Sequence, residues 1–188
     1  MPAALDPADI VVLFADLQRG IVENSQTNSE RHIARGAKAL ATIAKTLGLP
    51  ALTLGVPMPT PKPHILSEIT DTLPDAPLHV RHSVRAMHHA ETREWLAAHG
   101  RKTIWLAGVA SEIVVHHAAL DAQAEGYRVQ VLTDATGGLT ERGEAASFRT
   151  IERAGGELLS LASAATAVAG DFATEAGRAV MAAIMGMR

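Results

Sequence analysis

Residues 103–133 read TIWLAGVASEIVVHHAALDAQAEGYRVQVLT. The apolar residues 103–109 predict a buried strand, residues 111–125 predict a helix, and residues 128–133 predict a second strand. Gly126, directly after the helical stretch, is a typical helix stop. A strand, a helix and another strand in this order predict a right-handed crossover between two parallel strands.

The same alternation of short apolar runs and longer amphipathic stretches continues along the rest of the chain. Four further strands are predicted, at residues 10–15, 50–56, 78–81 and 157–161. Helices are predicted at residues 29–47, 64–70, 91–99 and 140–154, and two alanine-rich helices follow the last strand. Four prolines within residues 57–63 predict a loop. The pattern is that of one α/β domain, residues 1–188, a three-layer sandwich with a Rossmann-like parallel sheet of six strands between helices on both faces.

The composition argues against several classes of function. The chain has 188 residues and a formal net charge of -3, with no basic stripe interleaved with aromatic residues, so no nucleic-acid partner is expected. No apolar run reaches the ~18 residues of a membrane span. The N-terminal residues MPAALDPADI lack the basic start and apolar stretch of a signal peptide, so a cytoplasmic location is expected. The chain contains no cysteine, which excludes disulfides, thiolate metal sites and a cysteine nucleophile.

Polar residues that directly follow the predicted strands form the candidate site for a small-molecule ligand. In an open parallel sheet, ligands bind beyond the carboxyl ends of the strands. The residues at these positions are Asp16, Gln18, Arg81, Arg85, residues 110–112 and residues 134–138.

Each candidate has a catalytic and a structural interpretation. Asp16 follows an apolar strand, where partial desolvation can raise a carboxyl pKa enough for general-base catalysis, or it is a structural carboxylate that caps a loop. Arg81 and Arg85 can bind a carboxylate or stabilise an oxyanion, or they form ordinary ion pairs. Ser111 begins a helix whose free N–H groups can bind an anion, and its side chain is the expected N-cap.

The nine histidines include adjacent pairs at residues 88–89 and 116–117, but no HxH or HxxxH pattern. Neighbouring residues on a helix do not face one site. No metal site and no cofactor are therefore expected. The two glycines at residues 137–138 allow a tight loop, but their surroundings match no phosphate-binding motif.

Four segments of the chain resemble the isochorismatase-like (cysteine hydrolase) superfamily. They are LFADLQ around Asp16, LHVRHSVRAM around Arg81, WLAGVASEIVVHHAALDAQAEGYRVQVLTDAT from residue 105, and FRTIERAGGELLSLASA from residue 148. The third segment is the most specific. Its strand, turn and helix, and the GYRV sequence that leads into the next strand, follow one another at the family's spacing. The resemblance implies the strand order 3-2-1-4-5-6 and places the chain near a branch of poorly characterised hydrolases.

The resemblance also assigns roles to residues. Asp16 and Arg81 fall on the catalytic acid and basic positions, and we expect the two side chains to pair. The family's cysteine nucleophile falls on Val114, which excludes thiolate acyl transfer here. The Val109–Ala110 bond corresponds to a cis peptide bond of the family that lies next to an oxyanion hole. The resemblance implies that Val109, Ala110 and Ser111 form this hole here and that Val114 lines the pocket floor. The family's His-rich metal motif is absent after the second strand, so the resemblance implies no metal.

Three hypotheses of function follow. The first is a hydrolase of a small, anionic substrate that lacks the cysteine nucleophile, uses Asp16 as acid or base and binds substrate through Arg81 and Arg85. The alternative is a non-catalytic member of the same fold that binds a small carboxylate or acts as a scaffold. A third, weaker hypothesis makes Ser111 or Ser83 the replacement nucleophile.

A homo-oligomer is also expected. The alanine-rich C-terminal helices carry more large apolar residues than one sheet face needs, and exposed patches of that kind commonly mark interfaces. These residues are Val168, Phe172, Val180, Met181, Ile184 and Met185. The resemblance agrees, because members of the superfamily are usually oligomeric.

Overall fold

The computed structural model describes residues 5–59 and 63–188. Within these residues, six parallel strands form one sheet in the order β3-β2-β1-β4-β5-β6, as predicted. The strands are β1 Ile10–Ala15, β2 Ala51–Gly55, β3 Leu78–Val80, β4 Thr103–Gly108, β5 Arg128–Leu132 and β6 Glu157–Leu159.

Seven helices surround the sheet in the described part of the chain. They are α1 Glu30–Leu47, α2 Ser67–Thr70, α3 Ala90–His99, α4 His116–Ala124, α5 Glu141–Arg153, α6 Leu161–Val168 and α7 Glu175–Met185. The helix predicted at residues 64–70 is shorter than expected and occupies only its last four residues. The last strand also ends early, because Leu161 already begins α6. Residues 60–62 of the predicted proline-rich loop lie outside the described residues.

The core consists of two apolar layers, one on each face of the sheet. One layer packs α1, α6 and α7 against the sheet, and the other packs α3, α4 and α5 against it. All six residues of β1 are buried, which explains why this central strand is apolar at every position rather than alternating. No helix in the described residues is long and apolar enough to cross a membrane.

The C-terminal helices expose less apolar surface than the sequence suggested. Val180 is fully buried, and Val168 and Ile184 pack against the core. Phe172 and Met185 remain exposed, at 52% and 46%. The apolar residues predicted to be in excess on these helices therefore lie mostly in the core, because α7 packs against α1 and α6.

Gly36 of α1 offers a test of this packing. A Cβ atom built there would lie 2.7 Å from the Asp134 carbonyl carbon and 3.0 Å from the Ala135 nitrogen. Helix propensity alone favours Gly36→Ala by about 1 kcal/mol. We expect the variant instead to lose about 1–3 kcal/mol in urea unfolding, because backbone must move to admit the methyl group. Lys38→Ala, at an exposed position of the same helix, should change stability by less than about 0.5 kcal/mol. A more stable Gly36→Ala variant would contradict the close approach.

Candidate active site

An ion pair between Asp16 and Arg81 lies at the carboxyl edge of the sheet. Asp16 directly follows β1, Arg81 directly follows β3, and β2 lies between these strands. Arg81 Nη2 donates a hydrogen bond to Asp16 Oδ2 at 2.6 Å, with the two side chains 1% and 9% exposed. The predicted pairing is therefore confirmed, because parallel strands bring their carboxyl ends to the same edge.

The backbone of Asp16 is unusual. Its φ of 55° makes Asp16 the one non-glycine residue with positive φ among residues 5–59 and 63–188. Aspartate and asparagine tolerate this left-handed conformation better than other side chains that carry a Cβ. Asparagine is therefore the replacement that removes the charge and changes the backbone least.

Burial raises the pKa of Asp16 above its ordinary value of 3.8, and the nearby Arg81 guanidinium opposes this shift. The raised pKa means that the folded protein binds the Asp16 proton more tightly than the unfolded chain does. A carboxyl group of this kind is suited to accept a proton during a reaction and to release it again afterwards.

The sign of this shift predicts how stability depends on pH. As the pH rises from the ordinary carboxyl value through the raised pKa, the unfolded chain releases the Asp16 proton first. We therefore expect the wild type to lose stability relative to Asp16→Asn over this range, in urea unfolding at a series of pH values. If the ion pair with Arg81 outweighed burial, the difference between the two proteins would change with pH in the opposite direction.

A cavity of about 280 Å³ opens beside the ion pair. Its lining is Asp16, Ile21, Asn24, Val56, Arg81, Val84, Val109, Ala110, Ile113 and Leu139. Apart from Asn24 and the ion pair, these side chains are apolar. The buried atoms Asp16 Oδ1 and Arg81 Nε have no hydrogen-bond partner among the described residues. The cavity wall thus carries one ion pair among mostly apolar side chains, and the pair holds one unpartnered acceptor and one unpartnered donor that are buried.

The turn after β4 contributes Val109 and Ala110 to the cavity lining. The Val109–Ala110 peptide bond is cis, as expected. Val109 N–H donates to the Ala15 carbonyl at 3.1 Å, and Ser111 N–H donates to the Gly137 carbonyl at 2.9 Å. These two N–H groups are already satisfied, so the expected oxyanion role of Val109 and Ser111 is wrong for their backbone donors.

The predicted role of Ser111 as N-cap is also wrong. Residues Ser111–Val115 form a π-helical turn before α4, and the residue at the N-cap is Ala110. The buried Ser111 hydroxyl instead donates to Glu144 Oε1 of α5 at 2.7 Å. This contact joins the turn after β4 to α5. Ser111 is fully buried and does not line the cavity, so its hydroxyl does not face a substrate there.

Two further candidates lie outside the cavity lining. Arg85 makes a bidentate ion pair with Asp121 of α4, which holds its guanidinium away from the cavity. Gln18 is fully buried, and its side-chain amide bonds both the N–H and the carbonyl of Val56. Gln18 therefore fixes the chain after β2, and neither residue contacts a ligand in this cavity.

Val114 and Ser83 also differ from expectation. Val114 is 1% exposed and packs in the apolar layer on the α4 face, whereas its neighbour Ile113 lines the cavity. The expectation that Val114 forms the pocket floor is therefore wrong. Ser83 is exposed, and its hydroxyl accepts a hydrogen bond from Arg85 N–H at 3.1 Å.

A second cavity, of about 390 Å³, lies near the amino end of β2. Residues from α1, β2, α3 and the segment before β3 line it, among them Lys45, Ala51, Asp75 and His99. This end of a parallel sheet is not where ligands normally bind. The Asp16–Arg81 ion pair lines the smaller cavity, which we therefore take as the candidate active site.

The fold and the site together define a three-layer α/β protein with an acid–base pair at the carboxyl edge of a parallel sheet. The isochorismatase domain profile matches residues 10–163, most of the chain. This chain belongs to the isochorismatase family.

Proteins called YcaC are among its relatives. Probable hydrolase YcaC of Escherichia coli K12 is 27% identical over 156 residues, 82% of this chain and 75% of that protein. The structure of YcaC from Pseudomonas aeruginosa, with hexane-2,5-diol and covalent acrylamide, is 26% identical and superposes with a TM-score of 0.90, covering 97% of this chain and 92% of that one. The Escherichia coli YcaC structure, described as an octameric hydrolase of unknown specificity, has a TM-score of 0.89 at 26% identity, covering 100% and 90%.

Proposed function

We propose that this protein is a hydrolase of a small molecule in which Asp16 acts as the general base on water. The observation that carries the proposal is the buried Asp16–Arg81 pair with Asp16 Oδ1 and Arg81 Nε free of protein partners beside the cavity. The Asp16 side chain is 9% exposed and lines the cavity, where its carboxylate can accept a proton from an attacking water molecule. Arg81 also lines the cavity, and its positive charge can stabilise the negative charge that develops on the carbonyl oxygen of the substrate.

The proposed reaction has no covalent enzyme intermediate. The chain has no cysteine, and we assign the position of the family's nucleophile to Val114, whose side chain has no group that can attack a carbonyl. Water attacks the carbonyl carbon while Asp16 takes its proton, and Asp16 then returns the proton to the leaving group. The raised pKa of Asp16 favours both transfers.

The charge balance of the site favours a neutral substrate rather than the anionic one expected from the two arginines. Asp16 neutralises Arg81, and Asp121 neutralises Arg85 outside the cavity. The remaining lining is mostly apolar. A small ester or amide with an apolar body and one carbonyl group matches a neutral ion pair on a mostly apolar wall.

A non-catalytic carboxylate-binding or scaffold protein is the second candidate function. The observation that favours it is the direct contact between Arg81 and Asp16, because a carboxylate already bound to a guanidinium is a weaker base. In this case the cavity would bind a ligand without turning it over.

We also propose that the protein is a cytoplasmic homo-oligomer. The Escherichia coli YcaC structure is described as octameric. Three exposed apolar side chains, Val84, Ile113 and Leu139, surround the cavity in this chain, at 49%, 40% and 39% exposure. A second subunit packed there would remove apolar surface from water.

The test is a hydrolysis screen of small esters, amides and vinyl ethers, followed by turnover of the best substrate in ¹⁸O-labelled water. We expect one labelled oxygen in the acid product and no mass increase of the protein during turnover. A covalent adduct on the protein would contradict the mechanism. Ligands that raise the melting temperature but are never turned over would favour the second candidate function.

A further inference from the structure

Three side chains able to bind a metal converge where β3 meets the start of α3. His79 lies in the middle of β3, His89 directly precedes α3, and Glu91 lies in its first turn. One ligand atom from each lies within 4.8 Å of the others. Tetrahedral bonds of about 2.0–2.1 Å would place ligand atoms roughly 3.4 Å apart. Glu91 is exposed, so its side chain can change rotamer and approach the two rings.

A buried hydroxyl group orients both imidazole rings. Thr92 is fully buried, and its Oγ1 lies 3.4 Å from His79 Nδ1 and 3.3 Å from His89 Nδ1. When both Nδ1 atoms carry a proton and donate to this hydroxyl, both Nε2 atoms are free to bind a metal. Histidine ligands in metal sites usually have such a partner on the second ring nitrogen, which fixes the tautomer and the ring orientation.

The charge of the cluster suits a dication. Metal ions bind histidine in its neutral form, and Glu91 supplies one negative charge to the cluster. Two neutral imidazoles and one carboxylate form the same donor set that holds zinc in many three-ligand sites, in which water completes the coordination.

We propose that His79, His89 and Glu91 form a binding site for a divalent transition-metal ion, of which Zn²⁺ is the representative. The donor set disfavours Mg²⁺ and Ca²⁺, which prefer oxygen ligands throughout. This proposal does not depend on the hydrolase function, because none of the three residues lines the candidate active site.

The bound ion would hold an exposed edge strand in place. β3 has only three residues and lies at the edge of the sheet, and its Leu78 and Val80 are 36% and 40% exposed. Two ligands on the α3 side and one on β3 would cross-link strand and helix next to Arg81, which follows β3 directly. The site would thus stabilise the segment that carries half of the buried ion pair.

Titration of the purified protein with Zn²⁺ alone, by calorimetry, tests the proposal. We expect one ion per chain, with binding weakened at least tenfold in Glu91→Gln, a change at an exposed position that leaves the fold intact. Thr92→Val should weaken binding by about 10–100-fold, because it removes the shared partner of both rings. His32→Ala, which removes an exposed histidine of α1, is the matched control and should bind as the wild type does.

Co²⁺ provides a readout that reports on the ligands themselves. The visible absorption of the Co²⁺ protein should show low-symmetry coordination, and His89→Ala should abolish it. Equal weakening by His32→Ala and His89→Ala would overturn the proposal in favour of scattered surface histidines. Zn²⁺ binding that is unchanged in both Glu91→Gln and Thr92→Val would also overturn the proposal.

Discussion

Replacing Arg81 with methionine should destabilise the protein by about 3–5 kcal/mol, measured by urea unfolding at neutral pH. The methionine side chain fills similar space but leaves the Asp16 carboxylate buried without its guanidinium partner. Breaking a buried ion pair by removing one partner has this cost because the remaining charge stays desolvated. The same change should leave the sheet itself intact, since only the segment after β3 carries Arg81.

A double variant distinguishes the stabilisation provided by the ion pair from the destabilisation caused by one buried charge without a partner. In Asp16→Asn with Arg81→Met, no charge remains buried at this position, so we expect most of the lost stability to return. The exposed pair Arg128–Glu157, with side chains 38% and 40% exposed, is the control. Arg128→Met should cost no more than about 1 kcal/mol. If the double variant were as unstable as Arg81→Met, packing of the Arg81 stem rather than charge would be responsible.

Replacing Asp16 with asparagine should lower kcat/KM by about 10²–10⁴-fold on the best substrate found in the screen. Asparagine keeps the shape and the tolerance for positive φ but cannot take a proton from water. Below the raised pKa of Asp16 the wild type should lose activity as well, because the base is then protonated. The residual activity of the variant should show no such acid limb.

The matched control is Asp121→Asn. Asp121 is also a largely buried carboxylate in an ion pair with an arginine, but it lies on α4 outside the cavity. We expect its kcat/KM to stay close to that of the wild type. Equal losses in Asp16→Asn and Asp121→Asn would point to a general loss of folded protein rather than to a base in the active site. Circular dichroism of both variants distinguishes these outcomes.

The strand positions, the sheet order and the main site pair could be predicted from the sequence. Apolar runs reveal buried parallel strands because both faces are covered, and the strand order came from the family resemblance. The prediction for Asp16 and Arg81 succeeded because both follow strand ends, which the topology brings to one edge. The ends of the helix α2 and the strand β6 were less well predicted, because local signals compete with packing there.

Side-chain partners could not be predicted in the same way. Ser111 has the residue type of an N-cap, yet its hydroxyl contacts Glu144, 33 residues further along the chain. Arg85 contacts Asp121 rather than a ligand, and Gln18 bonds the chain after β2. The His79, His89 and Glu91 cluster has no recognisable spacing, because its ligands come from two different elements.

The sequence alone determined that this is a parallel α/β domain with no cysteine chemistry, and that an acid and a base sit at one edge of its sheet. Hydrophobic periodicity and residue type act locally, so they are readable without coordinates. The tertiary structure decided which polar groups have hydrogen-bond partners and which do not. Arg81 keeps one unpartnered donor beside the cavity, whereas Arg85 forms an ion pair with Asp121. Hydrogen bonds between distant elements depend on where the packing of the two layers places each side chain, and no local pattern records that placement.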